Sequence, residues 1–141
     1  MKFLIINGPN LNLLDRRDEN QYGAVSLDYI EKKIRENYKS DYFEFFQSNL
    51  EGEIIQQIQN AEKYFDCIII NPGGYAHTSV AIRDTLELSK TLKIEVHLSN
   101  LSNRENFRQN LITASVCYGY ISGFKEYSYL AAIYLAKNLK G

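Results

Sequence analysis

The chain has 141 residues, a net charge of −1 and a 45% hydrophobic share. That describes one domain, 1–141, with enough apolar content for a core and no global charge to draw nucleic acid or an anionic membrane. Its apolar runs are too short for a secretory leader or a bilayer span, and Cys67 and Cys117 stand isolated in strand-like runs, read as buried reduced thiols of a cytoplasmic protein. Phe3-Leu4-Ile5-Ile6 reads as a strand buried on both faces, stopped by Asn7-Gly8-Pro9-Asn10. A long connection follows, about 8–25, without helical or strand period, which suits a lid or binding loop. Helical spacing begins near Ser26, a candidate N-cap, with Leu27, Ile30, Ile34 and Tyr38 on one face.

Tyr42–Gln47 reads as the second strand, and Ser48 to Glu51 has capping-box spacing ahead of a helix with Ile54, Ile55, Ile58 and Ala61 on its core side. Cys67–Ile70 is a third strand, broken by Asn71-Pro72-Gly73-Gly74, and Tyr75 to Ser79 lead into a helix over Val80–Ser89. Lys93–Leu98 is the fourth strand, a polar segment runs through Arg108, and Val116–Ser122 is the fifth strand. The last helix carries Tyr127, Leu130, Ala131, Tyr134 and Leu135 at helical spacing. Strands alternating with helices imply right-handed crossovers and a doubly wound parallel α/β sheet, here expected in the order 2-1-3-4-5. Ligands of such sheets bind beyond the carboxyl ends of the strands, so the loops after strands one, three and four should share one edge.

The chemistry-bearing residues fall on those loops. Arg16-Arg17-Asp18-Glu19-Asn20-Gln21-Tyr22-Gly23 places arginines beside a tyrosine. A phenol with a pKa of about 10 is a poor base at neutral pH, and a close guanidinium stabilises its phenolate. Arg17 with Tyr22 therefore reads as an activated base, against the plainer reading of a solvated polar loop. His97 ends strand four, and the pleat puts Glu95 on its face; a carboxylate behind an imidazole suits a general acid, and a satisfied core histidine is the alternative. His77 follows a glycine pair that could open an anion site, or Thr78 or Ser79 could simply cap the helix. Asn7, Asn10, Asn12, Asn71 and Asn100 gather at strand ends, able to bind a hydroxylated ligand or to form turns. Arg104 and Arg108, four apart, could grip a carboxylate or face solvent. The cysteines and the two histidines lack zinc-ligand spacing, and neither a nucleophile elbow nor a phosphate loop is present. A base, an acid, an anion clamp and amide donors suit proton abstraction beside a carbonyl with loss of a leaving group.

In order along the chain, Asn7-Gly8-Pro9-Asn10-Leu11-Asn12, Arg17 with Tyr22-Gly23, and Gln47-Ser48-Asn49-Leu50-Glu51-Gly52 resemble the type II 3-dehydroquinate dehydratases. So do Asn71-Pro72-Gly73-Gly74-Tyr75, His77 through Asp84, Glu95 through Asn100, and Arg104-Glu105-Asn106-Phe107-Arg108. The resemblance implies a flavodoxin-like fold, no cofactor, and a homo-dodecamer (a tetramer of trimers). It implies trans-elimination of water from 3-dehydroquinate, through an enolate, in the shikimate pathway of aromatic amino acid biosynthesis. Carried over, Tyr22 takes the proton, Arg17 activates it, His97 oriented by Glu95 protonates the leaving hydroxyl, and Asn10 holds the enolate through a water. Asn71, His77, the Leu98 backbone, Ser99 and Arg108 bind substrate, and Asp84 reaches a neighbouring subunit's site. Departures at Asp15, Asp18-Glu19, Ala76 and Gly123-Phe124-Lys125-Glu126 bear on lid closure rather than on reaction type. The competing expectation is a non-enzymatic flavodoxin-like binding module. A phosphoreceiver wants aspartate where Asn71 stands, and a flavin carrier wants Ser and Thr after strand one.

Overall fold

The apolar runs become the centre of one five-stranded sheet. The computed structural model describes residues 1–22 and 25–140, so Gly23 of the Tyr22-Gly23 pair lies outside the described residues. Strand β1 (Lys2–Asn7) pairs with β2 (Tyr42–Gln47) on one side and β3 (Cys67–Asn71) on the other, followed by β4 (Leu92–His97) and β5 (Gly119–Ser122). Every pairing is parallel and the order is 2-1-3-4-5, as expected. Alternate residues of the central strands serve opposite layers. Phe3, Ile5 and Ile69 pack with Ile30 and Ile34 of α2 (Leu27–Asn37) and with α5 (Tyr127–Lys140). Leu4, Ile6, Ile68 and Ile70 pack with Ile54 and Ile58 of α3 (Glu51–Ala61) and Ile82 and Leu86 of α4 (Val80–Leu88). Coverage on both faces is why these strands carry no polar alternation. Among the described residues, no helix is long and apolar enough to cross a membrane.

Several local expectations hold. Ser26 caps α2 by accepting from the Tyr29 amide at 3.1 Å, and Ser79 caps α4 by accepting from the Ile82 amide at 3.0 Å.

Others are corrected. The capping box of Ser48 and Glu51 does not form. Leu50 is the N-cap; Ser48 accepts from the Leu50 amide at 2.9 Å, and the Glu51 carboxylate is drawn to Ser79 Oγ at 2.5 Å. Strand β5 starts at Gly119 rather than Val116, because pairing with β4 begins at Ile94 and Gly119; Ala114–Val116 is a 3-10 turn and Cys117 ends it. The connection after β1 is not free of helical structure. It holds a 3-10 stretch, Leu11–Arg16, and a single helical turn, α1 (Glu19–Tyr22), pinned by the buried Leu11, Leu14 and Tyr22.

Helix α5 is turned relative to the expected face. Tyr129, Ala132, Ile133 and Ala136 are buried, while Tyr127, Tyr134 and Leu135 are exposed. The two alanines let the helix approach the sheet closely, and the Tyr129 hydroxyl finds amide partners there.

Candidate active site

The carboxyl ends of β1 and β3 are locked together before any functional side chain is placed. The Gly8 amide donates to the Asn71 carbonyl at 2.8 Å, and a side-chain carbon on Gly8 would collide with the Pro72 carbonyl. Gly73 then turns with φ +61, facing Pro9. Beneath this junction the Tyr129 hydroxyl donates to Asn7 Oδ1 at 2.5 Å and accepts from Asn71 Nδ2 at 3.2 Å, while Asn71 Oδ1 accepts from the Gly73 amide at 3.1 Å. Burial pushes the Tyr129 hydroxyl above the ordinary phenol range, with Asn71 pulling the other way, so it stays a neutral donor. Asn71 is thereby held at the crevice floor by a tyrosine that carries no signal of this role in the sequence.

The crevice above is lined by Leu11, Arg17, Tyr22, Asn71, Gly73, Gly74, His77, His97, Leu98, Ser99, Leu101, Arg104 and Arg108. Loops after β1, β3 and β4 therefore do converge on one edge. Of the sequence-derived residues, Asn71, His77, Leu98, Ser99, Arg17, Tyr22, His97 and Arg108 are brought together, with Glu95 fully buried behind His97. Asn10 is exposed in the left-handed region at φ 69, its amide donating to Asn49 Oδ1 at 3.0 Å, outside that lining. Asp84 is exposed on α4 and paired with Arg83 at 2.9 Å, also outside it.

Tyr22 is only 7% exposed, and two guanidinium groups donate to its phenol oxygen, one from Arg17 and one from Arg104. Arg17 also lies over the ring, its Cζ 3.9 Å from the centroid. Arg104 is seated by Ser99 Oγ at 3.1 Å and Glu105 at 3.7 Å, and Arg108 by Glu105 at 2.7 Å. The pairing expected of Arg104 with Arg108 as a clamp is thus divided: Arg104 serves the tyrosine. Burial pushes the Arg17 guanidinium below its ordinary value, Tyr22 draws it back up, and Arg104 and Arg108 push it down. Three crowded guanidinium groups against one near carboxylate make this end of the crevice a site for anions.

The crevice also carries the two imidazoles, with ring centroids 6.3 Å apart. His97 Nε2 meets Glu95 Oε2 at 2.7 Å, and Thr113 Oγ1 donates to Glu95 Oε1. The pleat that puts Glu95 and His97 on one face is confirmed. His77 Nδ1 faces the Asn110 carbonyl at 3.0 Å. A carbonyl only accepts, so Nδ1 carries the hydrogen and the neutral ring keeps Nε2 as an acceptor. Burial holds the His77 imidazole below the usual histidine range, outweighing the pull of Asn110. His77 does not open α4; it ends the 3-10 stretch Gly73–His77, and the capping role falls to Ser79. Thr113, Asn110 and Tyr129 are contributors that carry no signal in the sequence. Arg104, expected as half of a carboxylate clamp, is instead a partner of Tyr22.

A parallel sheet in the order 2-1-3-4-5 with a crevice of ionisable side chains at its carboxyl edge defines a flavodoxin-like α/β protein. Within that class, the chain belongs to the family described as dehydroquinase class II, whose model matches residues 1–137. It is 51% identical over 142 residues to a 3-dehydroquinate dehydratase of Clostridium perfringens, covering 98% of each chain. To one of Thermotoga petrophila it is 48% identical over 143 residues, covering 99% of this chain and 98% of the other. The crystal structure of a type II dehydroquinase from Butyrivibrio crossotus superposes with a TM-score of 0.93 at 47% identity, over 97% of each chain.

Proposed function

We propose that this protein is a type II 3-dehydroquinate dehydratase, a hydro-lyase converting 3-dehydroquinate to 3-dehydroshikimate on the shikimate route to chorismate and the aromatic amino acids. Family membership and the names of full-length relatives support the reaction. The observation that carries it is a phenol oxygen held by two guanidinium groups, in one crevice with an imidazole backed by a buried carboxylate.

In this reading the cationic donors stabilise negative charge on the Tyr22 oxygen, which takes the proton alpha to the ketone. The C–H electrons pass into an enolate, held through a water by Asn10. The enolate then expels the beta hydroxyl, which leaves as water with a proton from His97. Arg17 and Arg104 offset the charge carried by the base, so the barrier falls without a cofactor. Arg108, at the cationic end, takes the substrate carboxylate. Asn71 and His77 take hydroxyl groups, His77 through its accepting Nε2, and Ser99 with the Leu98 backbone closes the binding set.

The free space in the crevice is about 30 Å3, small for a six-membered ring. In this reading the connection 8–25, which carries Arg17 and Tyr22, acts as the lid and lifts to admit substrate. Asp84, exposed and remote from its own crevice, is available to a neighbouring subunit of a dodecamer in the cytoplasm; native mass measurement checks the assembly. The reaction is tested by adding purified protein to 3-dehydroquinate and following ultraviolet absorbance of the conjugated enone. Growth of that band, with the enzyme surviving borohydride in the presence of substrate, is expected. A flat trace overturns the reading, and covalent trapping on a lysine overturns the enolate route.

A further inference from the structure

Both imidazoles of the crevice are held from outside it by one short segment, 110–113. At one end the Asn110 carbonyl accepts from His77 Nδ1 at 3.0 Å. At the other end Thr113, fully buried, donates from Oγ1 to Glu95 Oε1, whose partner oxygen holds His97 Nε2 at 2.7 Å. The backbone between them is tied to the turn that carries His77, since the amides of Ile112 and Thr113 reach the Ala76 carbonyl at 3.0 and 3.4 Å.

We infer that Thr113 is a positioning residue: its hydroxyl fixes Glu95 Oε1 as an acceptor, so that Oε2 is presented to His97, and the 110–113 segment sets which nitrogen of each imidazole carries its hydrogen. The catalytic consequence rests on the dehydratase reading; the bracing is a property of the resting protein. Glu95 is 0% exposed, so water cannot replace a missing donor. A hydroxyl facing a carboxylate oxygen acts as donor, and the stiff χ1 of threonine aims it. With Oε1 occupied, the carboxylate cannot rotate to offer either oxygen at will, and the imidazole it holds keeps one orientation. The charged and titratable groups facing the Glu95–His97 pair are His77 from the glycine turn, Arg17 and Tyr22 from the lid, Arg104 and Arg108 from the β4–β5 connection, and Cys117 behind Glu95. Burial pushes the Cys117 thiol up to about 12, so it stays neutral.

Thr113→Val keeps the shape and removes the donor. Partners of this kind behind metal-bound histidines are worth roughly 10–100-fold, and a similar loss of kcat on 3-dehydroquinate is expected, with KM nearly unchanged. Thr113→Ser should restore kcat. With two histidines in the chain, 15N-histidine labelling reads the His97 ring directly and without substrate. Its nitrogen resonances should change in the valine variant and return in the serine variant. Thr113→Cys, a weak donor of similar size, gives an intermediate change and serves if the valine variant does not fold. Histidine spectra matching the wild type in the folded valine or cysteine variant overturn the inference, as does a serine variant that restores nothing. A wild-type protein inactive on 3-dehydroquinate, with spectra that still respond to Thr113, would remove the reaction and leave the brace standing.

Discussion

Arg104 and Tyr22 are 82 residues apart in the chain and meet through one hydrogen bond, from the guanidinium to the phenol oxygen. That contact joins the turn α1 to the connection between β4 and β5, and both residues line the crevice. Arg17 reaches the same oxygen from within the lid, five residues away. One cation thus belongs to the same connection as the tyrosine and the other to the β4–β5 connection.

This arrangement separates the two arginines experimentally. Arg17→Ala and Arg104→Ala each remove one donor to the charge-bearing oxygen, and each should lower kcat by about 10²–10³-fold, the range for a lost oxyanion donor. Of the two, Arg104→Ala also cuts a tie from α1 to the β4–β5 connection, leaving the bond from Lys125 to the Asn20 carbonyl in place. Its lid should be cleaved faster by trypsin at Arg16 and Arg17, read by gel densitometry over time. Cleavage at the wild-type rate would show that Arg104 does not hold the lid.

Tyr129→Phe tests the floor of the crevice. The substitution leaves Asn7 Oδ1 without its donor and Asn71 Nδ2 without its acceptor, both in residues at most 4% exposed. Buried polar groups left without partners cost about 1–3 kcal/mol each, so a clear drop in stability by urea denaturation is expected. Asn71, freed to turn, should bind substrate less well, and KM should rise more than kcat falls. A variant as stable as the wild type would mean that the network contributes nothing net.

The central strands are legible in the sequence because unbroken runs such as Cys67–Ile70 have one comfortable home, the doubly covered middle of a parallel sheet. The loops that carry chemistry are legible for the same reason, since they begin where those runs stop. The face of α5 is not legible. Its Tyr, Leu, Ala and Ile residues leave two apolar stripes, and the choice between them is made by the fit of Ala132 and Ala136 to the sheet and by a hydrogen bond from Tyr129. Nor is the tie from Arg104 to Tyr22, because charge pairing over such a separation depends on how the β4–β5 connection folds into three short 3-10 turns. Thr113 gives no signal at all; an ordinary threonine in a loop acquires meaning only when Glu95 arrives beneath it.

Among the described glycines, Gly8 is where an added methyl group should do most damage. The new carbon would press on the Pro72 carbonyl, which is backbone and cannot swing aside, and relief requires parting β1 from the turn after β3. Overpacking of this kind costs about 1–3 kcal/mol, and because the same turn carries His77, activity should fall beyond what the loss of folded protein explains. Gly52→Ala, with open space around it in α3, is the matched control and should leave the melting temperature unchanged or slightly raised. Equal effects of the two substitutions would contradict the role given to the Gly8 contact.

Acid sensitivity should be traceable to Asp41, far from the crevice. Its side chain is 3% exposed and accepts from the Met1 amino group at 2.7 Å and from Lys137 of α5, stapling the start of β1 and the last helix to the α2–β2 turn. Burial alone would raise this carboxyl, but the hydrogen bonds from Lys137 and the amino terminus outweigh it, and it titrates below its ordinary value. A carboxyl depressed on folding gives stability that is present above its unfolded pKa and is lost as pH falls through the folded one. Asp41→Asn should therefore unfold at lower urea concentration than the wild type at pH 7 and pH 5. The gap should narrow below about pH 4, the unfolded range for an aspartate, as protonation removes the same charge from the wild type. Lys137→Met should reproduce part of the loss at pH 7 and narrow over the same window. A gap between wild type and Asp41→Asn that stays constant down to pH 2.5 would show that the carboxylate charge is not what holds the staple.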